Sequence, residues 1–146
     1  MIKSSIVQFV FLVFFVACNS VDLYDENDYI EVKTEYKDNN IKEKALCHKD
    51  DTNRVLIKMF YNDVLRSKTF YFNGKKHGPV SLYQDNGTIM MDGFYKDNLK
   101  DSVHRIYDEN GNLYITEKYN QGKEVGIWTF HDAETGKVIS EERRDN

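Results

Sequence analysis

The strongest constraint on this chain is a period. From residue 71 to 142 the sequence reads as three rows of 24 residues, 71–94, 95–118 and 119–142. Tyr71, Tyr95 and Tyr119 open the rows. Gly74, Asn98 and Gly122 hold one register, and Gly78, Ser102 and Gly126 hold another. Leu82, Ile106 and Phe130 coincide, each followed at once by Tyr83, Tyr107 or His131. Gly87 matches Gly111, and the third row reaches its glycine one residue late, at Gly136. A fixed period in the twenties marks stacked supersecondary units, none of which buries its apolar side alone.

Within each row the apolar spacing alternates, which predicts strands rather than helices. Asn86-Gly87 and Asn110-Gly111 lie between apolar stretches and predict hairpins with tight primed turns, because Asn and Gly accept positive φ. The stretches 75–78 and 123–126 supply the other turn of a row, leaving two strands of roughly 6–8 residues. Ile89, Met91 and Tyr95 then share a side with Leu113, Ile115 and Tyr119, and Val80, Leu82, Ile106, Trp128 and Phe130 complete that layer. Tyr83 and Tyr107 point the other way. Upstream, residues 29–36 alternate as a half-buried strand, and 41–47 read either as its return strand or as a short helix. Residues 48–53 form a polar loop, and 54–61 with 65–72 make a hairpin that looks like a worn extra row. The expected fold is all-β, an antiparallel β-hairpin repeat array, with 29–53 as N-terminal strands and loop and 54–146 as the repeats.

These residues carry a resemblance. The pattern Tyr71-x-x-Gly74-x-x-x-Gly78-x-Val80 resembles the MORN repeat in its bacterial variant. Tyr119-x-x-Gly122-x-x-x-Gly126-x-Trp128 matches it best, with Trp two residues after the second glycine. In the middle row Asn98 and Ser102 replace the glycines and His104 replaces the aromatic, so that row is either worn or altered for function. Secreted bacterial proteins of this kind are often labelled antitoxins of the YwqK type. The resemblance implies a β-hairpin meander that serves as a binding or scaffold surface.

The N-terminus gives an address. Lys3 precedes an apolar stretch over 6–17, interrupted by Gln8, which is too short to span a bilayer as a helix of roughly 20 residues. It suits the apolar region of a secretory signal. Phe15-Val16-Ala17-Cys18 resembles the lipobox of bacterial lipoproteins, in which the cysteine is acylated and the signal, here 1–17, is removed. Several acyl chains hold a protein on a membrane where one does so marginally. Residues 18–28 then read as the acylated Cys18 and an acidic tether. Asn19 is not the Asp that resembles an inner-membrane retention signal, so the expected location is the bacterial cell envelope, on the outer membrane. With Cys18 modified, Cys47 remains alone and reads as a small buried hydrophobe.

Net charge is −4 across 146 residues, which disfavours nucleic acid. His48, His77, His104 and His131 lack the close spacing of a helix-borne zinc site, so no metal or other cofactor is expected. No nucleophile elbow or phosphate loop occurs. The expected function is therefore non-enzymatic: a lipid-anchored surface binding a protein partner, or a toxin-neutralising partner. An envelope enzyme acting on cell-wall glycan is the remaining class. The candidate surface is the column Tyr83, Tyr107 and His131, read either as cross-strand packing or as an exposed strip for glycan or peptide.

Overall fold

The structure, a computed structural model, describes residues 24–38 and 40–144. Cys18 and the signal expected over 1–17 lie outside the described residues. The described chain is one eleven-stranded antiparallel sheet. Its strands are β1 (Tyr29–Lys37), β2 (Asn40–His48), β3 (Asp51–Tyr61), β4 (Val64–Phe72), β5 (Lys75–Tyr83) and β6 (Ile89–Lys96). They continue as β7 (Leu99–Tyr107), β8 (Leu113–Asn120), the short β9 (Lys123–Glu124), β10 (Ile127–His131) and β11 (Val138–Arg143). Neighbours in sequence are neighbours in space, apart from β9, which shares β8 as partner with β10. The all-β meander expected from the alternation is the fold. Residues 41–47 lie in β2, which resolves the strand-or-helix ambiguity in favour of the strand.

The period runs further than the three rows. β3, β5, β7 and β9 begin at Asp51, Lys75, Leu99 and Lys123, and β2 and β4 begin at Asn40 and Val64, with 24 residues between equivalent starts. The upstream hairpins are copies of the unit that have lost its glycines and kept its length.

Turn chemistry is opposite to expectation. Within the three rows the tight turns with both central residues at positive φ are Asn73-Gly74, Asp97-Asn98 and Gln121-Gly122, and Asn62-Asp63 joins β3 to β4 in the same way. The Asn-Gly stretches form wider loops in which Gly87 and Gly111 alone are left-handed. The cause is local: Asn86 Oδ1 accepts from the Thr88 amide at 2.9 Å, and Asp108 Oδ1 accepts from the amides of Asn110 (2.9 Å) and Asn112 (2.8 Å). These side chains mimic a backbone turn and stabilise a loop instead of a two-residue reversal. Residues 75–78, expected in a turn, belong to β5.

Two faces follow from the register. Leu82, Met91, Ile106, Ile115 and Phe130 are paired in one row across β5 to β10, as the alternation predicted. All five are half-buried, since a single-layer sheet covers its side chains only with their neighbours. The opposite face carries a strap. Residues 24–28, including a 3-10 turn at Glu26–Asp28, cross it and bury Tyr29, Leu56 and Phe70 with Tyr24 and Leu46. Tyr24 meets Phe70 edge-on at 5.3 Å and Phe94 at 5.8 Å. Its ring fills the space over Gly78, where a Cβ would lie 2.3 Å from Tyr24 Cε1. Glu26 reaches Lys58 and Lys68, each at 2.6 Å. The acidic tether expected over 18–28 therefore ends as a packed segment: from Tyr24 onward it belongs to the sheet.

Candidate binding surface

Tyr83, Tyr107 and His131 end β5, β7 and β10 at the loop end of the sheet, and all three project from the strap face. Each is tied to the side chain that precedes it by 15 residues. Lys68 Nζ lies 5.9 Å from the Tyr83 ring centre. The Tyr107 hydroxyl donates to Asp92 Oδ2 at 2.8 Å. His131 Nε2 lies 3.4 Å from Thr116 Oγ1 and 3.1 Å from Thr129 Oγ1. The His131 Nδ1 faces the Gly136 carbonyl at 3.3 Å and must donate to it, so Nε2 accepts from the hydroxyls. One repeat position thus carries three different chemistries.

Burial raises the Tyr107 hydroxyl pKa, and the Asp92 carboxylate raises it further. Burial pushes the Lys68 ammonium down, but Glu26 and Tyr83 together outweigh this and hold it above its usual value. Both groups keep their ordinary charge state at neutral pH.

Between these rings lie residues that the sequence reading did not single out. Arg66, Met90, Tyr114 and Val138 recur at 24-residue intervals on β4, β6, β8 and β11, with Met90 and Tyr114 on the strands between the rings. Met90 is 41% exposed, Tyr114 47% and Val138 50%. Tyr61, on β3, is 65% exposed and lies under the Arg66 guanidinium at 5.8 Å. A groove of about 570 Å3 opens between Arg66, Tyr83, Gln84, Asp85, Met90 and Glu109. The strip is therefore wider than the three expected residues. It runs across the strands from Tyr83 to Val138, the register partner of His131. The available signal was the second alternating position of each row, one residue before Met91 and Ile115.

The other face holds the largest departure in the middle row. His104 is 1% exposed and stands edge-on between Tyr95 (5.6 Å) and Tyr119 (5.2 Å). Its Nε2 donates to the Phe94 carbonyl at 2.9 Å, which leaves Nδ1 without a partner among the described residues. Burial lowers its pKa, with the Phe94 carbonyl opposing. Glu117, its register partner, is held by the Tyr119 hydroxyl (2.9 Å) and Lys100 (3.4 Å). Trp128 packs on Tyr119 at 5.7 Å and under Arg144 at 4.8 Å. This is a closed stack, with the His104 nitrogens turned toward backbone.

His104 and His131 lie on opposite faces. Among the described residues no group of three or more His, Cys, Asp and Glu is placed to hold a metal ion. No helix among them is long and apolar enough to cross a membrane. Cys47 is a free, half-buried thiol.

No protein-family model matches this chain, and no curated protein matches it. Similar solved structures include a mutant of S. aureus TarM in complex with fondaparinux, alpha-GlcNAc-glycerol and UDP, at 13% identity and TM-score 0.43, covering 68% of this chain and 21% of that one. TarM itself gives 15% identity and TM-score 0.42 over 67% and 21% of the two chains. The pneumococcal O-GlcNAc transferase GtfA in complex with UDP and GlcNAc gives 17% and 0.44 over 75% and 20%. This chain spans about a fifth of the length of each, and likeness at these TM-scores decides nothing about function.

Proposed function

We propose that this chain is a lipid-anchored, non-enzymatic binding protein of the bacterial envelope, built from MORN-type repeats. Its anchor is acylated Cys18 in the outer membrane. Its strap face engages a protein partner through the strip that contains Tyr83, Tyr107 and His131. One observation carries the reading: aromatic and apolar side chains recur across successive strands, with Met90, Tyr114 and Val138 exposed beside the half-buried Tyr83, Tyr107 and His131, while the loops beside them are polar. Exposed apolar strips with polar rims are characteristic of interaction sites. Tyrosine suits such a site because it offers a large rigid ring and a hydrogen-bonding tip. The sequence before the sheet supports the anchor, with Lys3, the apolar stretch and Ala17-Cys18 in the order that lipidation requires.

Acyl labelling of wild type and Cys18→Ala in cells tests the anchor. Label in the wild type alone supports it, and equal labelling refutes it. For the surface, crosslinking in intact cells is compared between wild type and Tyr83→Ser/Tyr107→Ser. A crosslinked partner retained by wild type and lost by a folded double variant is the expected result. Identical capture by both would remove the strip from the function. A captured toxin would make this chain its neutralising partner.

A further inference from the structure

We infer that the strip takes a basic, extended peptide segment, laid across the strands with an Arg or Lys about every third residue. The inference rests on the strip reading above and adds its chemistry. Three observations lead to it.

Charge is the first. The loops that flank the strip, residues 84–88, 108–112 and 132–137, carry Asp85, Asp108, Glu109, Asp132 and Glu134 against the single Lys137. At the opposite end of the strands, the tight turns and their flanks carry Lys75, Lys76, Lys96, Lys100 and Lys123 against Asp97, Asp101 and Glu124. Within these rows the acidic end is thus the one beside the aromatic strip. Among the described residues Asp85 pairs with Arg66, whereas the Glu109 and Glu134 carboxylates have no ion pair. A basic partner gains charge-assisted hydrogen bonds there, and its cations can also lie over tyrosine faces.

Spacing is the second. Tyr83, Tyr107 and His131 stand on β5, β7 and β10, two strands apart each time. Two strand spacings are about 9.5 Å. A polyproline II segment advances about 9.3 Å in three residues. An extended ligand of that kind therefore meets one ring per three residues without losing register over the three rings, which span about 19 Å. Such a segment also enters the groove with little ordering cost, because its conformation is already extended.

Shape is the third. The groove between Tyr83 and Met90 is open and lies next to Asp85 and Glu109, so a cation and an apolar residue can be accommodated side by side.

The test is binding of two twelve-residue probes, one of Pro-Pro-Arg repeats and one of Pro-Pro-Glu repeats, to the full chain in detergent. The Arg probe should bind at least about tenfold more tightly than the Glu probe, and binding should weaken as salt shortens the reach of charge. Glu109→Lys/Glu134→Lys should weaken it about tenfold, and so should Tyr83→Ser/Tyr107→Ser. Equal binding of both probes, or no effect of the two lysines, overturns the basic-segment inference. If neither probe binds while crosslinking in cells still depends on Tyr83 and Tyr107, this inference falls and the strip reading stands. Cell-wall glycan fragments that bind in place of both probes overturn it likewise. If the Arg probe binds the tyrosine double variant unchanged, the strip reading itself falls.

Discussion

His104 lies over Gly93 so closely that a Cβ on that glycine would sit 2.3 Å from the His104 Nδ1. The two are register partners across β6 and β7 by their place between Asp92↔Arg105 and the bulge that follows. Equivalent pairs one row away are Thr69 with Val80 and Glu117 with Trp128. Where the first and middle rows meet, the sheet therefore trades a side chain on β6 for a flat ring on β7. A ring laid over glycine shields its backbone and restores the packing that the missing side chain would have made.

Gly93→Ala should accordingly destabilise the sheet. No left-handed φ is involved at Gly93, so the cost is steric alone. Overpacking of this kind costs about 1–3 kcal/mol. Urea unfolding measures it, and the double variant Gly93→Ala/His104→Ala should recover part of the loss. Additive losses would show that the two residues do not compete for the same space.

Protonation of His104 gives a second handle. Its pKa is lowered from an ordinary 6.5 mainly by burial. The unfolded chain thus takes up a proton near pH 6.5 while the folded chain still resists it. Stability is full above that value and declines as pH falls from it toward the folded pKa. Midpoints at pH 7.5 and 5.5 should differ in wild type and differ less in His104→Val, which restores the residue type of the first row. An equal pH effect in both would exclude His104 as its source.

How much of this was legible depends on distance along the chain. Alternation is a local signal, so the row Leu82, Met91, Ile106, Ile115 and Phe130 and the opposite projection of Tyr83 and Tyr107 could be read directly. Asn-Gly carries two conformational options, and the choice between them lay with the side chains of Asn86 and Asp108, whose hydrogen bonds are not encoded in the dipeptide. The burial of His104 needed knowledge of its partner across the sheet, where the only trace was a glycine opposite a ring. The strap was hidden for a different reason. Tyr24 and Glu26 sit in an acidic stretch, and their partners Phe70, Phe94, Lys58 and Lys68 are more than thirty residues away.

The strap should matter to stability in two separable ways. Tyr24→Ala removes a ring that contacts Phe70 and Phe94 and uncovers Gly78, and should cost about 1.5–3 kcal/mol. Glu26→Gln removes a carboxylate that two lysines serve. Burial alone would raise the Glu26 pKa, but the hydrogen bonds from Lys58 and Lys68 outweigh it and hold the carboxyl below its ordinary 4.5. Its contribution is therefore present above about pH 4.5 and is lost as pH falls through the folded value. Acid unfolding of Glu26→Gln should show a shallower decline in that window than wild type. A strap that contributes nothing would leave both midpoints where they are.

Ser102 offers a change in the opposite direction. It holds φ at 60°, where the neighbouring rows place Gly78 at 118° and Gly126 at 68°. A non-glycine residue in the left-handed region carries about 1 kcal/mol of steric cost. Against that, the Ser102 hydroxyl donates to Asp101 Oδ2 at 2.9 Å, an exposed hydrogen bond of small net value. Glycine also adds freedom to the unfolded chain, which subtracts part of the gain. The steric relief is the larger effect, so Ser102→Gly should raise stability by a few tenths to about 1 kcal/mol. Asn98→Gly at the preceding turn should not match it, although Asn98 has φ 72°, because its Oδ1 accepts from the Lys76 amide at 2.8 Å and ties one hairpin to the next. Thermal midpoints of the two variants side by side decide the matter: a rise for Ser102→Gly and a fall or no change for Asn98→Gly is expected. The reverse order would mean that the Asp101 hydrogen bond, rather than backbone strain, governs this turn.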